Sequence, residues 1–301
     1  MNRRAILVSA LFVAACKDAA APKTNFDGNA ALEYARAQME FGARVPGTAN
    51  AQRAGDWIEA RMRERADTVI VQKWTHTTIN GKQLPMRNIF AQFRPELAER
   101  VLYVTHWDSR PTSDGSENLG DRQLPVPGAN DGASGVGLFV ALADLLKKTP
   151  PTVGVDLLFV DGEDYGDFGE MTDVLVGSMF FAADVKVKKY MPIYGVLWDM
   201  IGDKDLKIMR EKNSVANAPE VVSRVWDVAA SMGYEKYFVP EEFPDPITDD
   251  HIPLIRAGMR VIDVIDLDYP YHHRTSDTMD KISAESLKIV GDVAAALVTR
   301  Q

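Results

Sequence analysis

The sequence predicts an α/β domain, a mainly parallel sheet with helices on both faces. Three observations predict it. Short apolar runs alternate with longer helical segments along most of the chain. Three of those runs, 100–105 (RVLYVT), 154–161 (GVDLLFVD) and 193–199 (IYGVLWD), are nearly all apolar or β-branched, as strands covered on both faces must be. Side chains of metal-ligand type follow these runs, where open parallel sheets build their sites.

The elements follow in order. Helices are expected over 29–41 and 50–65, the second entered through the turn Arg44-Val45-Pro46-Gly47. Strands over 68–74 and 87–94 precede the buried strand 100–105. A long polar connection, 107–130, leads to a helix over 132–148. Strand 154–161, helix 176–185, strand 193–199 and helix 218–232 continue the alternation. A Pro- and acid-rich connection, 240–253 (PEEFPDPITDDHIP), precedes strand 260–266 and the closing helix 283–299. Connections as long as 107–130 and 240–253 are uncommon in compact domains and tend to carry function.

Composition bounds the partners. With 301 residues, 46% of them hydrophobic, the chain can bury a full core in one domain, read as 28–301. A net charge of −9 argues against nucleic acid, which needs a basic footprint. At the N-terminus, Asn2-Arg3-Arg4 is followed by the apolar run Ala5 to Ala15. That run is shorter than the ~20 residues of a spanning helix and has the shape of an export signal. Val13-Ala14-Ala15-Cys16 looks like a bacterial lipobox, with Cys16 as a lipidated first residue and 16–27 as a tether. The expected protein is then exported and membrane-anchored, in the periplasm or on the outer surface. A plain secretory signal with an incidental cysteine is the other reading. Cys16 is the only cysteine, so no intrachain disulfide forms.

Five strand ends or helix starts offer ligand-type side chains: His106-Trp107-Asp108, Asp131, Glu163-Asp164, Asp199, and the stretch Tyr269 to His273. Four of the five histidines fall in these stretches or in the 240–253 connection: His106, His251, His272 and His273. Each has an ordinary explanation. Asp131 suits a helix N-cap, Asp199 a buried ion pair, and Glu163-Asp164 a solvated loop. Together they are harder to dismiss, because acids closing buried strands are costly unless paired or metal-bound. Mixed His, Asp and Glu donors without cysteine suit a catalytic zinc site with an open position.

The ordered segments THWD, GANDGASG, GEDYG, WDMIGD, TDDHIP and HHRTSDT resemble the zinc aminopeptidase-type family M28, and most of all its bacterial glutaminyl-peptide cyclotransferase branch. The resemblance covers about residues 28–299. It implies a single three-layer α/β/α domain around a mixed, mostly parallel sheet. It also implies zinc, one ion firmly held and a second optional, and peptide or protein N-termini as substrate. Asp131, Asp164 and His273 match the zinc ligands, and Glu163 the general acid/base. His106 and Asp199 match ligands of the peptidases' second zinc. Asp249 matches the first Asp of the cyclases' Asp-Asp-His motif, which joins Glu163 and Asp199 in a proton network. Asp108, Asp250 and His251 would orient these groups from behind. His272 would line the substrate pocket. Trp107 and Trp198, next to metal-site residues, are candidates for its walls, with packing alone the other reading for Trp198.

Two departures stand out. His272 replaces a tryptophan that lines the cyclases' glutamine pocket, and Arg274 replaces the usual threonine. The expected reaction is cyclisation of N-terminal glutamine to pyroglutamate with loss of ammonia. The alternative is an aminopeptidase with two zincs bridged by Asp131. A third reading is a non-catalytic, lipid-anchored binding module, which would be marked by loss of the acid/base or a ligand.

Overall fold

The computed structural model describes residues 23–299. The expected signal, Cys16 and most of the tether lie outside the described residues. A six-stranded sheet forms the middle layer. Its strands are β1 (Thr68–Thr77), β2 (Gln83–Phe93), β3 (Arg100–His106), β4 (Gly154–Val160), β5 (Tyr194–Asp199) and β8 (Val261–Ile265), arranged β1-β2-β4-β3-β5-β8. The four strands β4, β3, β5 and β8 run parallel, while the β1–β2 hairpin joins β4 antiparallel. The mixed, mostly parallel sheet is as expected.

Alternation within each central strand explains the two helical layers. Val101 and Tyr103 of β3, with Leu157 and Phe159 of β4 and Val196 and Trp198 of β5, join one core. That core lies against α1 (Gly28–Met39), α2 (Ala49–Arg63), α3 (Ala133–Lys148), α6 (Pro219–Ser231) and α8 (Ala284–Thr299). Leu102, Val104, Leu158 and Leu197 point the other way, onto α4 (Val176–Lys188) and α7 (His251–Arg256). A strand with period-two side chains and both faces covered must be apolar throughout, which is why these runs are legible.

All six expected strands and six expected helices are present, some with longer bounds. The hairpin strands reach Thr77 and begin at Gln83, beyond the apolar runs, because only alternate residues such as Leu84 and Met86 are buried there. Five short elements are additional among the described residues: the parallel pair β6 (Ile208–Arg210) and β7 (Phe238–Glu242), helices α5 (Lys212–Asn217) and α7, and a single 3-10 turn at Asp121–Gln123. Strands of three and five residues and helices of six carry too few periods to register as patterns. Pro253 sits in the first turn of α7, where a missing N–H costs nothing.

Candidate metal centre

The candidate residues gather at the carboxyl ends of the parallel strands. His106 ends β3, Asp199 ends β5, Glu163 and Asp164 follow β4, and His272 and His273 follow β8. Asp131 precedes α3, yet it does not cap that helix. Gly132 occupies the cap position, at φ +96°, with no side-chain capping bond. A Cβ at 132 would lie 2.7 Å from the Asp108 carbonyl and 3.2 Å from the His106 ring, so glycine is required for the close approach as well as the turn. The Asp131 carboxylate is thereby freed to face the histidines.

Its two oxygens address different partners. Oδ1 lies 3.1 Å from His106 Nε2, and Oδ2 lies 3.8 Å from His273 Nε2. His106 Nε2 is also 3.1 Å from Asp199 Oδ1, and His273 Nε2 is 3.3 Å from Asp164 Oδ1. Zinc–ligand bonds of about 2.0–2.1 Å in a tetrahedron require donors ~3.3–3.4 Å apart, close to these spacings. Buried oxygens Asp131 Oδ2 and Asp164 Oδ2 have no hydrogen-bond partner. Buried carboxylate oxygens without partners are costly, and a cation is what they lack. The donor set therefore fits a metal. Two trios lie within bonding reach of an ion among the described residues: His106, Asp131 and Asp199, and Asp131, His272 and His273.

The backbone around the donors is held from behind. Asp108 accepts the amides of Glu163 and Asp164 at 3.2 and 3.3 Å, and stands 3.6 Å from His106 Nδ1. Asp277 accepts the amides of Asn130 and Asp131. The buried Arg44 guanidinium donates to the carbonyls of Trp107, Pro127 and Gly128, and desolvation lowers it to about 10. His273 takes φ +54°, a strained value for a non-glycine residue. Its carbonyl accepts from the Gly115 amide, so the 107–130 connection clamps it.

A cavity of ≈ 290 Å³ opens beside the donors. Asp131, Glu163, Asp199, Asp249, His272 and His273 line its polar side, and Phe168, Met200, Ile247, Ile265 and Leu267 its apolar side. Burial, then the charge of Asp164, pushes the Glu163 carboxyl well above the usual range. Burial, then Asp199 and Asp250, does the same to Asp249, and burial pushes Asp250 to about 7. Burial disfavours a charge on His106, but Asp199, Asp108 and Asp131 outweigh it and raise the imidazole. Acids and histidines poised this way suit proton transfer.

Some expected positions need correction. Trp107 and Trp198 do not line this cavity. Trp198 is fully buried, edge-on to Tyr103, because it falls on the α3 side of β5. Trp107 is buried too, and its indole donates to the Arg87 carbonyl beside a different cavity under the β1–β2 hairpin. Both fill core, one residue out of phase with the site. Asp250 lies buried with unpartnered oxygens, and His251 faces Glu211 at 3.3 Å and Asp263 at 3.8 Å, behind the cavity wall. Neither touches a candidate ligand directly.

Several contributors escaped the sequence reading. Arg110 donates to Asp164 Oδ1 at 2.8 Å and pairs with Asp114. Asp277, Glu211, Asp263 and Phe168 also belong to the site or its support. An acid in the apolar run VIDVI was the available signal for Asp263, since such a charge is unaffordable without partners. Glu211 lies in no pattern that marks it.

Comparison with known proteins agrees with this geometry. The description of peptidase family M28 matches residues 88–298, more than half of the chain. A Zn-dependent exopeptidase from Parabacteroides distasonis superposes with a TM-score of 0.88 at 34% identity, covering 93% of this chain and 100% of that one. A Bacteroides thetaiotaomicron glutaminyl cyclase bound to N-acetylhistamine gives 0.88 at 32%, covering 93% and 100%. A glutaminyl-peptide cyclotransferase-like protein of Mus musculus is 25% identical over 260 residues, 78% of this chain and 66% of that protein. The chain spans less than two thirds of the length of the first curated relatives it matches. Family match, fold and the convergence of His, Asp and Glu at the strand ends lead to one conclusion: the chain belongs to peptidase family M28.

Proposed function

We propose that this protein is a zinc-dependent glutaminyl-peptide cyclotransferase. The observation that carries the reading is Asp249, which lines the same cavity as Glu163 and Asp199 and raises the Glu163 carboxyl. Three carboxyl groups around one small pocket form a proton relay, and cyclisation needs a proton moved twice without an activated water. The solved cyclase of like fold supports it.

Asp131, Asp164 and His273 would hold the zinc, which supplies Lewis acidity at the γ-carbonyl oxygen of an N-terminal glutamine. Glu163 accepts a proton from the α-amine as its nitrogen bonds to the γ-carboxamide carbon. Asp249 and Asp199 share the proton load. Glu163 then returns the proton to the departing amide nitrogen as that carbon–nitrogen bond breaks, releasing ammonia and a pyroglutamyl peptide. The apolar wall of Phe168, Ile247, Ile265 and Leu267 excludes water, which would otherwise compete as nucleophile.

A second reading has its own observation. His106, Asp131 and Asp199 complete a second donor trio, as a two-zinc aminopeptidase requires. The deciding experiment incubates the zinc-loaded protein with Gln-initiated and Leu-initiated peptides and weighs the products. Loss of ammonia with the chain intact supports the cyclase; release of the first residue supports the peptidase and overturns the cyclase. The same reading includes export and anchoring through a lipid on Cys16, supported by the Val13–Cys16 motif. Substitution of Cys16 by alanine should then release the protein from the membrane fraction.

A further inference from the structure

His272 stands where the resemblance places a tryptophan, and the exchange changes the chemistry available there. An indole offers only an N–H, whereas a neutral imidazole offers a lone pair and is the commonest protein metal ligand. In an extended segment, consecutive side chains point to opposite sides. Here the positive φ of His273 turns the backbone, and both rings enter one cavity. Their centroids lie 3.8 Å apart at 47°. A ring nitrogen of His272 lies within 4.8 Å of ligand atoms of both Asp131 and His273. The backbone of the pair is tied to the 107–130 connection, since the Gly115 amide donates to the His273 carbonyl at 3.0 Å.

We infer that His272 is itself a ligand of the metal bound by Asp131 and His273. The inference rests on the metal centre of the proposed function and adds a donor to it. With Asp131 and His273 it makes a trio of protein donors within reach of one ion, which leaves the fourth position of a tetrahedral zinc site for another group. His272 thus serves as a resting-state ligand in place of an aromatic pocket wall.

The test compares metal binding by the wild type, His272→Ala, His272→Trp and His273→Ala. Zinc affinity is measured by competition with a chromophoric chelator. Ligated imidazoles are counted as hyperfine-shifted exchangeable N–H resonances in the Co²⁺-loaded protein. Loss of partners outside the coordination shell already costs about 10–100-fold in affinity. Both His272 variants should therefore bind zinc at least about tenfold more weakly and lack one shifted resonance. Thermal unfolding of the metal-free forms identifies any variant that fails to fold, and the Trp variant supplies the bulk of the residue that the resemblance places there. Wild-type affinity and an unchanged resonance count in both variants overturn the inference while leaving the metal centre standing, provided His273→Ala loses metal. A wild type that binds no zinc overturns both together.

Discussion

The Asp277 carboxylate holds the backbone of Asp131. Its Oδ1 accepts the Asn130 amide at 2.9 Å and its Oδ2 the Asp131 amide at 3.2 Å, while the Tyr269 hydroxyl donates to Oδ1 at 2.6 Å. The helix start at α3 therefore takes its hydrogen bonds from a distant acid, and Asp131 keeps both oxygens for the centre. Asp277→Ala strands two buried amides and a phenol. Each unmet group costs about 1–3 kcal/mol, so with three groups stranded the variant should lose at least about 3 kcal/mol of stability in urea unfolding, and zinc affinity should fall with it. Tyr269→Phe, which leaves the amide bonds in place, should lose less and keep its metal.

Glu163→Gln separates binding from chemistry. The side chain lines the cavity but belongs to neither donor trio. Glutamine keeps the shape and removes the proton acceptor. Zinc content should stay at the wild-type value, and kcat should fall by about 10²–10⁴, the usual contribution of a general acid/base. Unchanged turnover in a metal-loaded variant would place the chemistry elsewhere.

Much of this was legible in the sequence, for an identifiable reason. The parallel strands are covered on both faces, so runs such as Val101 to Val104 declare themselves, and the ligand-type residues follow directly at their ends. Trp107 and Trp198 were misread because adjacency along a strand is not adjacency in space. With a period of two, the residue beside a site residue faces the opposite layer. Arg110, Asp277 and Glu211 were missed because they act across large sequence separations, which no local pattern records. His251 faces Glu211 and Asp263, which come from a short helix cap and from mid-strand, places that no local pattern marks.

Arg110 and a metal would both satisfy Asp164. Arg110 Nη1 donates to Oδ1, while Oδ2 has no partner. Arg110→Met leaves a carboxylate that is 1% exposed with only the His273 imidazole, 3.3 Å from Oδ1, beside it in the metal-free protein. Breaking a buried pair in this way costs about 3–5 kcal/mol. Zinc at Asp164 would recover part of that loss. The gap in unfolding temperature between zinc-loaded and chelator-stripped protein should therefore be wider in Arg110→Met than in the wild type. An equal gap would show that Asp164 is no metal ligand.

Asp266, at the end of β8 and away from the donors, predicts a pH dependence of stability. Burial pushes its carboxyl from 3.8 to about 7, while the Lys207 amide it accepts acts the other way. The folded state holds this proton more tightly than the unfolded state, so between pH 4 and 7 it binds more protons. Stability from this group is then full below about pH 4 and is lost as pH rises toward 7. The interval sets a ceiling of ~4 kcal/mol. Asp266→Asn keeps an acceptor for the Lys207 amide and cannot ionise. It should match the wild type below about pH 4, exceed it at pH 8 by an amount on the order of 1–4 kcal/mol, and flatten the profile between. Urea unfolding of both proteins across that range, at fixed ionic strength and with metal removed, measures the difference. Parallel profiles would mean that Asp266 stays ionised in the folded protein, with water or Lys207 replacing the solvation that burial takes away.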